Sequence, residues 1–434
     1  MGREFAYQAV YRYLEALVEE AQRGGQLRLP SLRALSRRLR VSLSTVQTAY
    51  GLLEHEGRVL SVPKSGYFAQ AVESHRCPAT PMQPSIERAL LAHERRLARQ
   101  RARSLCLHSA GSTRLRKALA ERYTRSSRQC WLPEDVHLAP DVQALLETLL
   151  AALALHGSTV LVTSPCCWRL WRALQRAGVQ IQELPLNHLG SPDLGRLARV
   201  LGQGVVRMVV MPSCLGMPLG LSMSPEDQQQ IARLLALHPV WLLENDLDSE
   251  HCFAGPVRSR LRDWVDPHWL LVMGSLEAAV GAEAPYAYVL GRPAALVQTF
   301  AQRDFQLAPL RQQALAQMLG MGEIDEQMGR QRVELQRRMQ LLCQQLQRHL
   351  GRQTAFAIPE GGRVVWLRLG KRVPARRIVA ALDGSVLRVE PGEQFGVQGR
   401  YQQYLALSWV DDQPEPLQDA LCLLAQALKV GGAH

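Results

Sequence analysis

The chain has 434 residues, 47% of them apolar and 21% charged, with a net charge of +12. That length excludes a lone small domain and leaves room for about two to four, and the apolar share excludes a disordered chain. The charge is uneven: residues 1–70 hold ten Lys/Arg against six Asp/Glu, residues 71–130 hold thirteen against four, and the remaining 304 residues sum to −1. A basic end on a near-neutral body points to a polyanionic partner at that end.

Residues 3–22 read as an amphipathic helix with Val10, Leu14, Leu17 and Val18 on one side. Its acidic residues interrupt any continuous apolar core, so it is not read as a secretory signal. No later run reaches membrane-spanning length without polar interruption, and a cytoplasmic location with no membrane partner is expected. The nine cysteines are odd in number and show no CxxC spacing. Reduced thiols are therefore expected, and nothing near Cys166-Cys167 in sequence would activate that pair as a redox sensor.

Residues 29–68 form the most informative stretch. Leu32, Leu35 and Leu39 share one helical face; Val46, Ala49, Tyr50 and Leu53 share another. Ser31 and Ser42 stand where N-caps belong, and only Arg40, Val41 and Ser42 separate the two helices. Gly57 ends the second helix, and Val59 to Phe68 reads as a hairpin with Pro63, Lys64, Ser65 and Gly66 at its tip. This is a winged helix-turn-helix whose second helix would enter the major groove of double-stranded DNA. Ser42, Ser44, Thr45, Gln47 and Thr48 lie near its leading end, where hydroxyls can bind phosphates or base edges and Gln47 can pair with adenine. Ser31, Arg33, Lys64, Ser65 and Gly66 complete the candidate DNA-binding set. The alternative is a small helical protein-binding module with a solvated polar face, and the length and internal consistency of the pattern favour DNA. The stretch closely resembles the DNA-binding domain of GntR-type bacterial regulators, through Leu29-Pro30-Ser31-x-Arg33-x-Leu35, Thr45-Val46, Ala49-Tyr50, Glu56-Gly57 and Ser65-Gly66-Tyr67-Phe68. Leu43 departs from the polar or basic residue common there, which leaves the operator sequence open.

Residues 71–106 read as a basic linker: Pro78, Pro81 and Pro84 are followed by the arginine-rich helical run after Ile86. Those arginines suit either flanking DNA or a solvated helix face. His75 and His93, beside Cys77, are read as linker residues rather than metal ligands. From about residue 107, apolar strands alternate with helices, as in a mostly parallel sheet covered on both faces. A large part spans about 107–300. Glu323–Leu350 is a long helix with Met328, Val333, Leu335, Met339, Leu342 and Leu346 inward, and a smaller α+β part spans about 323–434.

This order resembles a fold-type I aminotransferase, the PLP-dependent-transferase fold, and with the head in front it resembles the MocR subfamily of GntR-type regulators. The landmarks are Ala110-Gly111-x-x-x-Leu115-Arg116, Pro212-Ser213 with Pro218-x-Gly220, Glu244-x-Asp246-x-Asp248-Ser249-Glu250, Pro359-x-Gly361-Gly362 and Pro391-Gly392. The resemblance implies a pyridoxal phosphate (PLP) site, and also a homodimer. It places the Schiff-base lysine at Ala278, the pyridine aspartate at Asn245, a nearby tyrosine at Leu247, the phosphate loop at Pro140-Asp141-Val142, a further arginine at Pro285 and the carboxylate-binding arginine at Ala406. The chain has four lysines, Lys64, Lys117, Lys371 and Lys429, so none lies between 118 and 370. Asp246, Asp248 and Glu250 are expected to be local hydrogen-bonding and capping groups, and Trp168 to fill the vacated pocket. The expected function is a sequence-specific DNA-binding regulator with a non-catalytic body, no catalytic or metal-binding residue, no resident cofactor, and an unidentified small-molecule effector left open. The alternative is a PLP-binding regulator or an aminotransferase using a non-standard lysine.

Overall fold

The computed structural model describes residues 10–11, 13–18, 29–55, 59–62, 66–69, 84–101, 110–255, 259–281, 284–351, 354–370, 373–396, 399–409 and 414–430. The chain divides into two units, Met1–Pro78 and Ala79–His434.

In the head, α1 (residues 10–11 and 13–18), α2 (Leu32–Leu39) and α3 (Leu43–His55) precede a two-stranded wing, β1 (Val59–Val62) antiparallel to β2 (Gly66–Ala69). Val10, Leu14, Val18, Leu35, Val46, Ala49, Tyr50 and Leu53 close one small core. The Ser31 hydroxyl caps α2 by accepting the Ala34 N–H, and the Ser42 hydroxyl accepts the Thr45 N–H at the start of α3. Arg40 makes the turn in the left-handed region, at φ 54°. Tyr50 joins the helices to the wing: its hydroxyl donates to the Pro30 carbonyl at 2.6 Å and its ring stacks on Tyr67 at 4.1 Å.

The second unit opens with α4 (Pro84–Arg101) and α5 (Ala110–Arg125). Its main sheet has the order β3 (Val136–Ala139), β11 (Ala287–Leu290), β10 (Leu270–Ser275), β9 (Trp241–Asn245), β6 (Val206–Pro212), β4 (Thr159–Ser164), β5 (Gln180–Pro185), with β11 antiparallel to both its neighbours. Both faces are buried. Leu161, Val209, Leu242 and Val272 face one core, and Val160, Val210, Leu243 and Met273 face the other. Two apolar faces are why these strands read as nearly continuous apolar runs. Beyond α11 (Ala294–Arg303), α12 (Pro309–Gly320) and α13 (Glu323–Leu350), a four-stranded antiparallel sheet follows, β12 (Thr354–Ala355), β13 (Val365–Leu369), β15 (Tyr404–Trp409), β14 (Leu387–Pro391), with its own core.

Three expectations need correction. Residues 84–101 are not linker: α4 buries Ile86, Leu90 and Leu97 in the same core as α5 and α12. His93 is likewise buried, with its ring nitrogens 3.1 Å from Gln317 and 3.0 Å from Glu323. Val333, assigned inward, is 68% exposed, because it lies outside the stripe that Met328, Leu335, Met339 and Leu342 share. The basic composition of α4 hid an apolar stripe of only three residues and a histidine.

Candidate nucleic-acid interface and the aminotransferase-like pocket

At the leading end of α3, Ser42, Ser44, Gln47 and Thr48 are exposed and Thr45 is half-buried. The Ser42 hydroxyl lies 2.8 Å from that of Ser44 and 2.7 Å from that of Thr45, and Thr48 donates to the Ser44 carbonyl at 3.0 Å. These hydroxyls form one mutually oriented cluster with acceptor capacity left over. Arg33 and Gln47 are exposed and pair with no described residue. Leu43, 49% exposed at the first turn, offers an apolar contact of the kind a thymine methyl accepts. Gly66 begins β2 at φ +110°, a backbone suited to glycine. Lys64 and Ser65 lie outside the described residues. Arg37 and Arg40, absent from the candidate set, are exposed on the last turn of α2 and on the turn itself. The run Ser36-Arg37-Arg38-Leu39-Arg40 was the available signal.

In the second unit, three of the positions assigned to a PLP pocket, Asp141, Asn245 and Ala278, lie at the carboxyl ends of strands of the main sheet, where ligands bind in such folds. Asp141 follows β3 and caps α6 (Val142–Ala152), its carboxylate accepting the Ala144 N–H at 2.8 Å. A phosphate at this helix start would meet a carboxylate already holding one of the free N–H groups. Asn245 ends β9 and its amide oxygen accepts the Leu247 N–H at 3.2 Å. Ala278 sits half-buried in the one-turn helix α10 (Glu277–Val280). Ala406 is 3% exposed and packs with Trp366 and Phe395, in a cluster that Tyr401 and Tyr404 complete. Trp366 stacks on Tyr404 at 5.2 Å and meets Phe395 edge-on at 5.1 Å. The Trp168 side chain lies outside the described residues. Burial pushes the Cys166 thiol well up, the reverse of an activated cysteine.

Glu244 and Asn245 are successive strand residues and point to opposite faces. On the Glu244 side lies a buried ion network that sequence reasoning reduced to local capping. Arg262 is fully buried and pairs with Glu244 and, at 3.1 Å, with Asp246. Ser213 donates to Glu244 at 2.7 Å and Tyr123 to Asp246 at 2.9 Å. Glu250 holds Arg122, Arg260 and Arg332 at 3.4, 3.7 and 3.9 Å. Burial alone would raise the Asp246 carboxyl, but Arg262 and then Arg260 hold it below the usual range; burial raises Glu244 against the pull of Arg262. The network walls a cleft of about 600 Å³. Gly274 is fixed by the same network, since a Cβ there would lie 2.5 Å from the ring of Tyr288, whose hydroxyl is 3.2 Å from that of Tyr123. No described residues form a group of three or more His, Cys, Asp or Glu able to hold a metal. No described helix is long and apolar enough to cross a membrane.

Residues 79–403 match the class I and II aminotransferases, and residues 6–68 match the gntR family of bacterial regulatory proteins. The HTH-type transcriptional regulator YjiR of Escherichia coli is 24% identical, over 96% of this chain and 98% of its own. The probable rhizopine catabolism regulatory protein MocR of Rhizobium meliloti is 27% identical, over 57% of this chain and 58% of its own. The solved structure of Pyrococcus horikoshii kynurenine aminotransferase matches with a TM-score of 0.72, covering 92% of this chain and 97% of its own at 16% identity, a likeness of fold. The chain belongs to the class I and II aminotransferase family and carries a GntR-type DNA-binding domain ahead of it, the two-part build of MocR-type transcriptional regulators.

Proposed function

We propose that this protein is a sequence-specific, homodimeric DNA-binding regulator whose aminotransferase-like body has given up PLP chemistry. The observation that carries the reading is Asp141. Its carboxylate caps the helix at which the family's phosphate group would be received. The other positions fit the cofactor no better. No lysine exists between 118 and 370 to bond it, and the Asn245 amide, in the aspartate's place, cannot hold a pyridine nitrogen protonated. The aromatic cluster around Ala406 is packed as core where a substrate carboxylate would need an arginine. The residues present therefore do not suit PLP, and the body is read as a scaffold that pairs two heads. Pairing matters because one winged helix reads a single short half-site. On each head, Ser31, Arg33, Ser42, Ser44, Thr45, Gln47 and Thr48 supply phosphate and base contacts, together with Lys64, Ser65 and Gly66. A small-molecule effector of another chemistry remains compatible with this build.

The test is a visible spectrum of the purified full chain with added PLP, before and after borohydride reduction and dialysis. No retained pyridoxyl group is the expected result. A pyridoxyl group fixed by borohydride would mean that another lysine has taken over, and would overturn the non-catalytic reading while leaving the DNA-binding head untouched.

A further inference from the structure

The arginine-rich helix α4 has an apolar inner face and a basic outer one. At 100° per residue, Leu97, Leu90, Ile86 and His93 fall within one sector, and all four are buried. Arg88, Arg95 and Arg99 fall on the opposite side, within about 40° of one another, with Arg96 flanking them. All four arginines are exposed, and none pairs with a described residue. The helix has only two acidic residues. Glu94 is held by Arg311 at 2.6 Å, and Glu87 lies on the flank, about 100° from Arg88. The outward stripe is thus a run of uncompensated guanidinium groups about 16 Å long at 1.5 Å per residue. Like charges at i and i+4, as in Arg95 and Arg99, weaken a free helix, so the stripe costs stability that an approaching anion would return.

We propose that this stripe is a second DNA-contacting surface, on the aminotransferase-like body, which binds the phosphate backbone of duplex DNA without reading its sequence. Charge complementarity selects the partner: a duplex presents one negative charge per about 1.7 Å of axis, along a length that this stripe can follow. A second copy of the chain is disfavoured, because a two-fold contact centred here would set arginine against arginine. The inference rests on the reading of the protein as a DNA-binding regulator, and assigns the body a share of affinity that the head alone would otherwise carry.

The experiment uses the full chain and a labelled 60-base-pair duplex of random sequence, with the binding constant followed against salt. The variants are Arg88→Gln/Arg95→Gln/Arg96→Gln/Arg99→Gln, the same four positions as lysine, and Arg33→Ala in the head. Each phosphate contact contributes a slope of about 0.9 in log K against log salt. The glutamine variant is expected to lose roughly three to four units of slope and to melt no lower than the parent at low salt in the absence of DNA. The lysine variant should keep the slope, because counterion release depends on charge and not on the guanidinium fork. A glutamine variant within one unit of the parent overturns the proposal. So does a lysine variant as weak as the glutamine one, since that would make the arginines structural. If Arg33→Ala changes nothing while the stripe variant loses slope, the fault lies with the head and the stripe stands.

Discussion

Arg33 in the head and Arg262 in the body show two opposite uses of the same side chain. Arg33 is exposed and pairs with no described residue. Arg262 is fully buried and clasped by Glu244 and Asp246. The first contributes nothing to packing, and its removal should leave the fold intact. The second is committed to the fold, and its removal would leave buried Glu244 without its counter-charge and Asp246 with only the more distant Arg260. The difference explains why a body lined with charged groups is not thereby an active site. Its carboxylates already have arginines, so the charge that lines the cleft is balanced within the fold.

The sharpest way to break this comparison is Arg262→Met. Removing one partner of a buried ion pair costs about 3–5 kcal/mol, far more than a surface charge. Urea denaturation of the full chain should register a loss of that size in the transition of the body. A loss under about 1 kcal/mol would mean that Glu244 and Asp246 find other partners, and that Arg262 is as dispensable to the fold as Arg33.

A pH titration probes the same commitment through a histidine. His137, in β3, has its pKa lowered to about 4, by burial first and then by Arg116. The unfolded chain takes up this proton near pH 6.5 and the folded one does not, so the contribution is complete above about pH 6.5 and lost as pH falls towards 4. The total is at most roughly 3 kcal/mol. Burial lowers His251 as well, with Arg363 and Arg332 opposing its charge, so it adds a loss of the same sign. His137→Gln should flatten part of the decline in stability between pH 6.5 and 4. An unchanged slope would assign the decline to His251 and to other groups.

What could be read from the chain follows the same division. The helix-turn-helix was legible because its caps, its short turn and the apolar faces of its two helices are written locally, within a few residues. The strands were legible because burial on both faces leaves apolar runs. The ion network was not, because Tyr123, Ser213, Glu244 and Arg262 are brought together across as many as 139 residues and no local pattern announces the meeting. Helix α4 was misplaced for the converse reason: its arginines dominate the composition, while the four residues that bind it into the body are a minority.

The smallest expected effect on the fold, and the most informative about function, belongs to Arg33→Ala. Substitution at an exposed site away from packing should move stability by less than about 0.5 kcal/mol. On duplex DNA, losing one phosphate contact should weaken binding uniformly across sequences and lower the salt slope by about one unit. Gln47→Ala should behave differently: little change in slope, but reduced preference for one duplex over competitors, as loss of a base contact requires. If Arg33→Ala altered sequence preference and left the slope alone, the two side chains would have exchanged roles, and the start of α2 rather than that of α3 would be the reading edge.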